Sequence, residues 1–261
     1  MKIVRGHRSV RGIGLAVLFL IAALGGPASG EEARPRFDVI VIESAITPPV
    51  AEYIIASVSA SEKAGSEGLI IQMDTPGGLD LAMRDIIKSL LNAPVPVIVY
   101  VAPKGARAAS AGAFITIAAH IAAMAPGTNI GAAHPVAIGA GKMDDTMLEK
   151  VESDAVAYAR SIAKERGRNV EWMEQAVRKS ASIPAEEALS LRVIDVVAAD
   201  LNELLEKIDG REIPLPSGKK KLRARGAELS KKSMGLRERI LITISNPNIA
   251  YLLFIVGLAG L

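Results

Sequence analysis

Hydrophobic residues between positions 37 and 197 fall into two alternating patterns. Short runs rich in Val and Ile, bounded by Gly, Pro or Asp, are typical of buried strands, and they occupy 37–42, 68–73, 96–101 and 193–197. Between them, apolar residues recur every three or four positions, as on one face of a helix, over 48–65, 79–90, 109–119, 145–166 and 184–191. Strands that alternate with helices predict an α/β fold with a mostly parallel sheet.

The composition of the chain excludes several kinds of catalytic, metal and binding site. Half of the 261 residues are apolar but only 3% are aromatic, so one main core of Ala, Val, Ile and Leu is expected. The absence of cysteine excludes disulfides, thiolate metal sites and a cysteine nucleophile. With three histidines, a histidine-rich metal site is not expected either. A net charge of +3 is too small to indicate nucleic-acid binding. Neither a metal nor another cofactor is predicted.

Residues 1–30 resemble a signal peptide. Four basic residues, Lys2, Arg5, Arg8 and Arg11, precede the apolar run 13–24, and small residues at 28–30 offer a cleavage site before Glu31. The apolar run is near the upper length for such a segment, so an uncleaved anchor is the alternative. In either case we expect the domain that follows to be extracytoplasmic, either periplasmic or extracellular.

The other end of the chain is also apolar. Residues 249–261 contain no charge, but as a helix they cover only about 20 Å of a hydrocarbon core of about 30 Å. We therefore interpret 241–261 as the start of a transmembrane helix that is truncated in this sequence. A short docked or re-entrant helix is the alternative.

Residues 211–240 differ from the rest of the chain. They carry ten basic residues and three acidic ones, with Pro214, Pro216 and Gly218 in place of an apolar stripe. This composition predicts a basic tether between a domain at 31–210 and the membrane segment. A solvated linker is favoured over a patch that binds lipid headgroups.

Candidate chemistry lies at two junctions between a strand and a helix. The run DTPGG at 74–78 ends a strand in a tight turn, where backbone N–H groups are free to face an anion. The run ASAG at 109–112 places Ser110 in the first turn of a helix among residues too small to shield it. Exposure near a helix N-terminus favours a nucleophile and its oxyanion. Purely geometric turns and a helix-capping serine remain the alternatives.

These two motifs, followed by MAPGTNIGA at 124–132, resemble the NfeD family of membrane-bound serine proteases. The resemblance runs from about Asp38 to the C-terminus, and 246–253 resemble the start of the family's first membrane helix. It implies a ClpP/crotonase-like fold, a homodimer, a peptide or protein substrate and a stomatin-like membrane protein as partner. It also implies a Ser-Lys dyad of Ser110 and Lys150, with the backbone N–H groups of Gly78 and Ala111 as oxyanion donors. Many relatives continue into further membrane helices and a small β-barrel.

Two histidines, His134 and His120, have to be weighed as candidate functional residues. His134, in a loop downstream of Ser110, is the rival base because ClpP itself pairs its serine with a histidine. We interpret it as a solvated loop residue or part of the substrate pocket, and His120 as a hydrogen-bonded histidine at the margin of the core. Lys150 would need apolar neighbours such as Met147, Leu148 and Val151 to lower its pKa by desolvation.

Two other classes of function fit the same sequence. A crotonase-type acyl-CoA enzyme would share the fold and the oxyanion hole but needs no serine nucleophile, and the signal segment argues against it. A noncatalytic membrane scaffold for stomatin-like partners would keep the fold while Ser110 became dispensable. The favoured prediction is a serine endopeptidase that cleaves apolar peptide segments.

Overall fold

The computed structural model describes residues 1–2, 34–136, 144–245 and 247–259. The predicted signal segment lies outside these ranges apart from its first two residues. The strands are β1 (Arg36–Ile42), β2 (Gly68–Met73), β3 (Val97–Val101), β4 (Arg107–Ala109), β5 (Ile121–Met124), β6 (Asn129–Gly131), β7 (Ser182–Pro184), β8 (Val196–Val197), β9 (Glu212–Leu215), β10 (Gly218–Lys221) and β11 (Glu228–Lys231). The helices are α1 (Pro48–Lys63), α2 (Asp80–Leu91), α3 (Ala111–Ala118), α4 (Asp145–Glu165), α5 (Val170–Arg178), α6 (Ala185–Ser190), α7 (Leu201–Ile208), α8 (Leu236–Ile244) and α9 (Pro247–Ala259).

A six-stranded sheet forms the centre, in the order β11-β1-β2-β3-β5-β8, and every neighbouring pair is parallel. The mostly parallel sheet expected from the sequence is therefore present. In a parallel sheet the carboxyl ends of all strands lie at one edge, which is where such folds bind ligands. The loops that follow β2, β3 and β5 carry all three recognised motifs, so the topology brings them to the same edge.

Alternating side chains of the strands point to two separate cores. On one face, Ile40, Ile71 and Val99 belong to a large cluster that includes side chains of α1 to α5. On the other face, Val39, Ile70 and Ile98 pack with apolar residues of α7 and of the β9–β10 hairpin. Strands buried on both faces have no polar alternation, which explains why they appear in the sequence as continuous Val and Ile runs.

The interpretation of 211–240 as a tether is corrected by the structure. Residues 211–231 contain the β9–β10 hairpin and β11, which pairs in parallel with β1 at the edge of the central sheet. Ile213 and Leu222 are buried in the second core. The buried carboxylate of Glu67 also accepts a hydrogen bond from the Arg223 N–H at 3.1 Å and lies 3.6 Å from the Lys220 ammonium. The lysines of β10 and β11 give this segment the basic composition that hides its strands in the sequence.

Two helices follow β11 at the end of the chain. No single described helix is long and apolar enough to cross a bilayer. Helix α8 together with 249–258 of α9 meets the length and composition of a span, but the two axes turn by 73° at the break. Every described side chain of α9 from Tyr251 to Leu258 is exposed.

Candidate active site

Ser110 lies between β4 and α3 in a conformation that few L-residues adopt. Its backbone has φ 52° and ψ −117°. A non-glycine residue with positive φ costs on the order of 1–3 kcal/mol and persists only where its surroundings hold it. The Ser110 N–H donates to the Gly131 carbonyl on β6 at 2.9 Å, and the Ala113 N–H donates to the Ser110 carbonyl at 2.9 Å. A strained serine between a strand and a helix is the arrangement of a nucleophile elbow.

The glycine turn at 74–78 lies directly against Ser110. A Cβ added at Gly77 would come within 2.7 Å of the Ser110 Cβ and 3.2 Å of its Oγ. Gly77 has φ +116°, which also favours glycine. The turn is fixed by Thr75, whose buried hydroxyl accepts from the Gly77 N–H and donates to the Gly77 carbonyl, both at 3.2 Å. The structure therefore brings together the two junctions that the sequence singled out.

Thr75 and Gly112 were not predicted to take part. An isolated parallel bridge joins Thr75 to Ala108, and a Cβ at Gly112 would lie 2.6 Å from the Thr75 Cγ2. Only a glycine at 112 lets α3 approach the turn this closely. The signal for this contact was present in the sequence as the second small residue after Ser110, but spacing alone does not indicate what it packs against.

The free N–H groups near Ser110 come from two sources. Ala111 and Gly112 open α3, and the first N–H groups of a helix have no intrahelical acceptor. In the neighbouring turn, the Gly77 carbonyl accepts from Ile46 and the Leu79 N–H donates to the Ile46 carbonyl. The Gly78 N–H lies between these two engaged groups, in an exposed position. This arrangement can stabilise negative charge on an oxygen beside Ser110.

Lys150 lies in the second turn of α4 and is exposed. Its neighbours Met147 and Leu148 are also 49% and 36% exposed, so they do not enclose it in the way that desolvation of its amine would require. Side chains at the start of an amphipathic helix face solvent when no other element covers them. Among the described residues, no hydrogen bond or ion pair joins Lys150 to Ser110.

The helices that carry the candidate residues nevertheless run in the same direction. Phe114 of α3 stacks on Tyr158 of α4 at 6.2 Å between ring centroids, and farther along both helices the Arg166 Nε donates to the Ala118 carbonyl at 2.8 Å. Arg84 of α2 packs over the Tyr158 ring at 4.3 Å. The N-terminal ends of α3 and α4 thus lie at the same end of the layer.

Arg84 links α2 to α4. Its guanidinium donates to Asp80 at 2.8 Å and to Asp154 at 2.5 Å while it covers the Tyr158 ring. Burial lowers the pKa of Arg84, but the two carboxylates more than offset this and leave its pKa raised. Helix α2 begins directly after the glycine turn, so this cluster connects the supports of the turn, of Ser110 and of Lys150. No pattern in the sequence indicates this cluster.

The two histidines occupy different environments. The His120 Nδ1 accepts from the Val97 N–H at 3.1 Å, as expected for a hydrogen-bonded histidine at the core margin. Burial, and after it the charges of Arg166 and Arg168, lower the pKa of His120 to about 3. The His134 Nδ1 lies 3.0 Å from the Val177 carbonyl, which requires a hydrogen on that nitrogen. No cluster of three or more His, Asp or Glu side chains within the described ranges suits a metal ion.

The sequence of this domain is similar to that of a known protein family. Residues 36–210 match the model of the NfeD1b N-terminal domain. The chain belongs to this family. It is 36% identical over 228 residues to the membrane-bound protease PH1510 of Pyrococcus horikoshii, covering 85% of this chain and 51% of that protein. It is 26% identical over 263 residues to the membrane protein NfeD1b of Bacillus subtilis, covering 99% and 56%. The chain thus spans about half the length of these relatives.

Solved structures agree with the family assignment. A serine-to-alanine variant of the 1510-N membrane-bound stomatin-specific protease is 35% identical with a TM-score of 0.72, over 78% of this chain and all of that one. A lysine-to-alanine variant of 1510-N, in complex with a substrate peptide, is 34% identical with a TM-score of 0.75, over 81% and 98%. The predicted NfeD resemblance and the ClpP-like α/β fold are both confirmed. The homologues are membrane-bound proteins.

Proposed function

We propose that this chain is the protease part of a membrane-bound serine endopeptidase, with Ser110 as nucleophile and Lys150 as general base. The observation that carries the proposal is the strained backbone of Ser110, held between a strand and a helix with the Gly77 turn against its side chain. Such strain is retained where the surrounding structure requires it, and nucleophile elbows are a known use.

The spacing of the residues supports the choice of Lys150. The serine and the lysine replaced in the two 1510-N variants lie 41 positions apart. Lys150 follows Ser110 by 40 positions, while Lys142 and Lys164 follow it by 32 and 54. The parallel course of α3 and α4 carries the N-terminal part of α4 to the end of the layer where Ser110 lies.

In the proposed reaction, the neutral amine of Lys150 accepts the proton of the Ser110 hydroxyl while the Oγ attacks the peptide carbonyl carbon. The N–H groups of Gly78 and Ala111 stabilise the oxyanion. The proton on Lys150 passes to the leaving amine, and the C–N bond breaks to leave an ester on Ser110. Water then attacks the ester while Lys150 accepts its proton, and Lys150 returns this proton to the Ser110 Oγ as the C–O bond breaks and the acid is released.

A lysine base must be neutral, and in the single chain Lys150 is exposed to water. Its desolvation therefore has to come from a bound peptide or from a second copy of the chain. Met147, three residues before Lys150, and Val136, two residues after His134, are exposed apolar side chains that either one could cover. We propose a homodimer, for which sedimentation at increasing concentration is the direct measurement.

A relative suggests the substrate, and the N-terminal sequence suggests the topology. Because 1510-N is described as stomatin-specific, we propose extended apolar segments of stomatin-like proteins as substrates. An extended peptide can pair with a sheet edge and place alternate side chains in pockets. We also propose that the domain is extracytoplasmic, because of the signal segment at 1–30. Preferential cleavage of apolar over charged peptides of equal length is the expected result.

The dyad is tested with a fluorophosphonate probe and a peptide substrate. Ser110→Ala should lose labelling, and Lys150→Ala should reduce turnover by about a thousandfold with the fold intact. Lys150→Arg should fail equally because the guanidinium stays protonated. Turnover by the parent chain should rise from neutral to mildly alkaline pH. His134→Ala is the matched control and should keep most of the activity.

Two outcomes would reject the proposal. If His134→Ala is inactive while Lys150→Ala keeps the parental rate and pH profile, the mechanism is a Ser-His one. If the parent chain reacts with no probe and cleaves no peptide, yet binds stomatin-like proteins equally with and without Ser110→Ala, the noncatalytic scaffold replaces it. Turnover of an acyl-CoA instead would support the crotonase alternative.

A further inference from the structure

Helix α8 has an apolar face that no described residue covers. Leu236, Ile240 and Ile244 recur every four residues, so they share one face of the helix, and they are 75%, 52% and 44% exposed. The helix is docked through a different face, because its Ile242 packs against the large core, as does Met234 just before the helix. A helix with one apolar face on the domain and a second apolar face outside is not explained by packing within this chain.

The position of α8 is fixed by the residues that precede it. The Lys232 N–H donates to the Val39 carbonyl at 2.8 Å and the Tyr53 hydroxyl donates to the Lys232 carbonyl at 3.2 Å. The Lys232 ammonium lies 3.2 Å from the carboxylate of Asp38, which is 1% exposed. Strand β11 and these contacts hold α8 beside α1. The membrane-proximal helix is thus an extension of the folded domain and not the end of a flexible linker.

The exposed apolar residues of α8 are followed along the chain by those of α9. The α9 side chains from Tyr251 to Leu258 are apolar or small and exposed, and the axes of the two helices turn by 73°. One helix in the plane of a lipid surface followed by one that enters the hydrocarbon would make such a turn. Arg237 and Arg239 are exposed next to the apolar face of α8, where long basic side chains can reach anionic headgroups.

We propose that α8 lies in the plane of the membrane surface, with Leu236, Ile240 and Ile244 at the boundary between headgroups and acyl chains. Amphipathic helices bind lipid in this way when an apolar face is flanked by basic residues. The occupant of the apolar face is then the bilayer. Because Asp38 and Tyr53 hold Lys232, four residues before α8, the protease domain sits with its α1 side towards the lipid in one orientation. The proposal rests on the membrane attachment proposed above.

The absence of cysteine allows a direct test. Single cysteines at Leu236, Ile240 and Ile244 in the full chain are labelled with an environment-sensitive dye, and the chain is inserted into vesicles of phosphatidylcholine and phosphatidylglycerol. Leu81→Cys is the matched control, because Leu81 is 77% exposed and Leu236 is 75% exposed. Ile255→Cys reports on α9. Lipids that carry a quencher near the headgroup or near the chain end measure the depth of each dye.

Dyes at the three α8 positions should be quenched most by the headgroup-proximal lipid and to the same extent as one another. The dye at 255 should be quenched most by the deep lipid, and the dye at 81 by neither. Quenching at 255 without quenching at 240 would overturn the α8 proposal and leave the membrane attachment standing. A steady increase in depth from 236 to 244 would overturn it in favour of a bent span. No quenching at 255 would remove the attachment itself.

Discussion

Gly77 provides the sharpest test of the site, because its backbone and the Ser110 side chain are in direct contact. In Gly77→Ala the new methyl group would lie 2.7 Å from the Ser110 Cβ. Carbon atoms pack at roughly 3.5–4.0 Å, so the turn or Ser110 has to move by about 1 Å. A displacement of that size at a catalytic group costs on the order of 100-fold in rate. The φ of +116° adds backbone strain of about 1–3 kcal/mol.

Gly218 separates these two effects. It is the first residue of β10, directly after the turn from β9, with φ +119°, and an added Cβ meets nothing within 4 Å. Gly218→Ala therefore carries the same kind of strain without the contact to Ser110. Both variants should unfold at a lower temperature, by roughly 2–4 °C for each kcal/mol in a domain of this size. Only Gly77→Ala should also lose reactivity at Ser110.

The measurement combines the rate of fluorophosphonate labelling, the rate of peptide cleavage and thermal unfolding followed by circular dichroism. Gly77→Ala should label and cleave about 100-fold more slowly than Gly218→Ala at matched stability. Equal rates for the two variants would show that the close approach of Gly77 does not set the reactivity of Ser110. The description of the site as a turn pressed against a nucleophile would then be wrong.

Three further changes test the surrounding structure. The pKa of His120 is about 3 in the folded state and about 6.5 ordinarily, so between these pH values only the unfolded state binds a proton at this residue. The contribution of His120 to the free energy of unfolding is therefore fully present above about pH 6.5. It falls as pH drops towards 3, by up to about 1.4 kcal/mol per pH unit. Urea unfolding should show this slope, and His120→Gln should flatten it. Arg84→Ala should reduce kcat about tenfold at little change in KM, because α4 loses the contacts of its Asp154 and Tyr158 side chains with Arg84 of α2, and Arg84→Lys should restore only part of it. A fragment 34–235 should show a higher urea midpoint than 34–210, which lacks β11 and the hairpin.

Each of these has a contradicting result. If His120→Gln kept the pH dependence of unfolding of the parent chain, a group other than His120 would be the one that takes up the proton on unfolding. If Arg84→Ala changed the melting temperature but not kcat, the cluster would serve stability alone. If the fragment 34–210 unfolded at the same urea concentration as 34–235, the original domain boundary at 210 would stand.

Strands with continuous apolar runs and helices with clear capping residues were predictable from the sequence, because in these elements the tertiary contacts agree with the local preference of the residues. β2 occupies 68–73 as expected, and α4 begins at Asp145, with Asp144 as a cap that accepts from the Met147 N–H. Two short helices, α5 and α7, were missed, since each offers only two turns of apolar spacing between charged residues. Short elements of this kind are stabilised mainly by the surface they cover.

The largest error concerned 211–231, where the number of lysines outweighed the spacing of Ile213 and Leu222. Whether a basic strand pairs with a sheet depends on a free edge, and the edge of β1 lies far away in sequence. The candidate site, too, was predictable only in part. The residue types around Ser110 indicated its exposure, whereas its φ and its contact with Gly77 depend on elements that the sequence does not place in space.

The strain at Ser110 requires that α3 be fixed at both of its ends. This helix has only eight residues, too few to be stable alone, and all of them are buried. At its C-terminal end, Arg166 donates to the Ala118 carbonyl, and the buried Arg168 donates to the Ile117 and Ala119 carbonyls while pairing with Asp195. These guanidinium groups satisfy carbonyls that would otherwise be buried without partners. With the other end held by Gly131 and Thr75, α3 cannot shift along its axis, so the backbone of Ser110 cannot relax into an ordinary helical start.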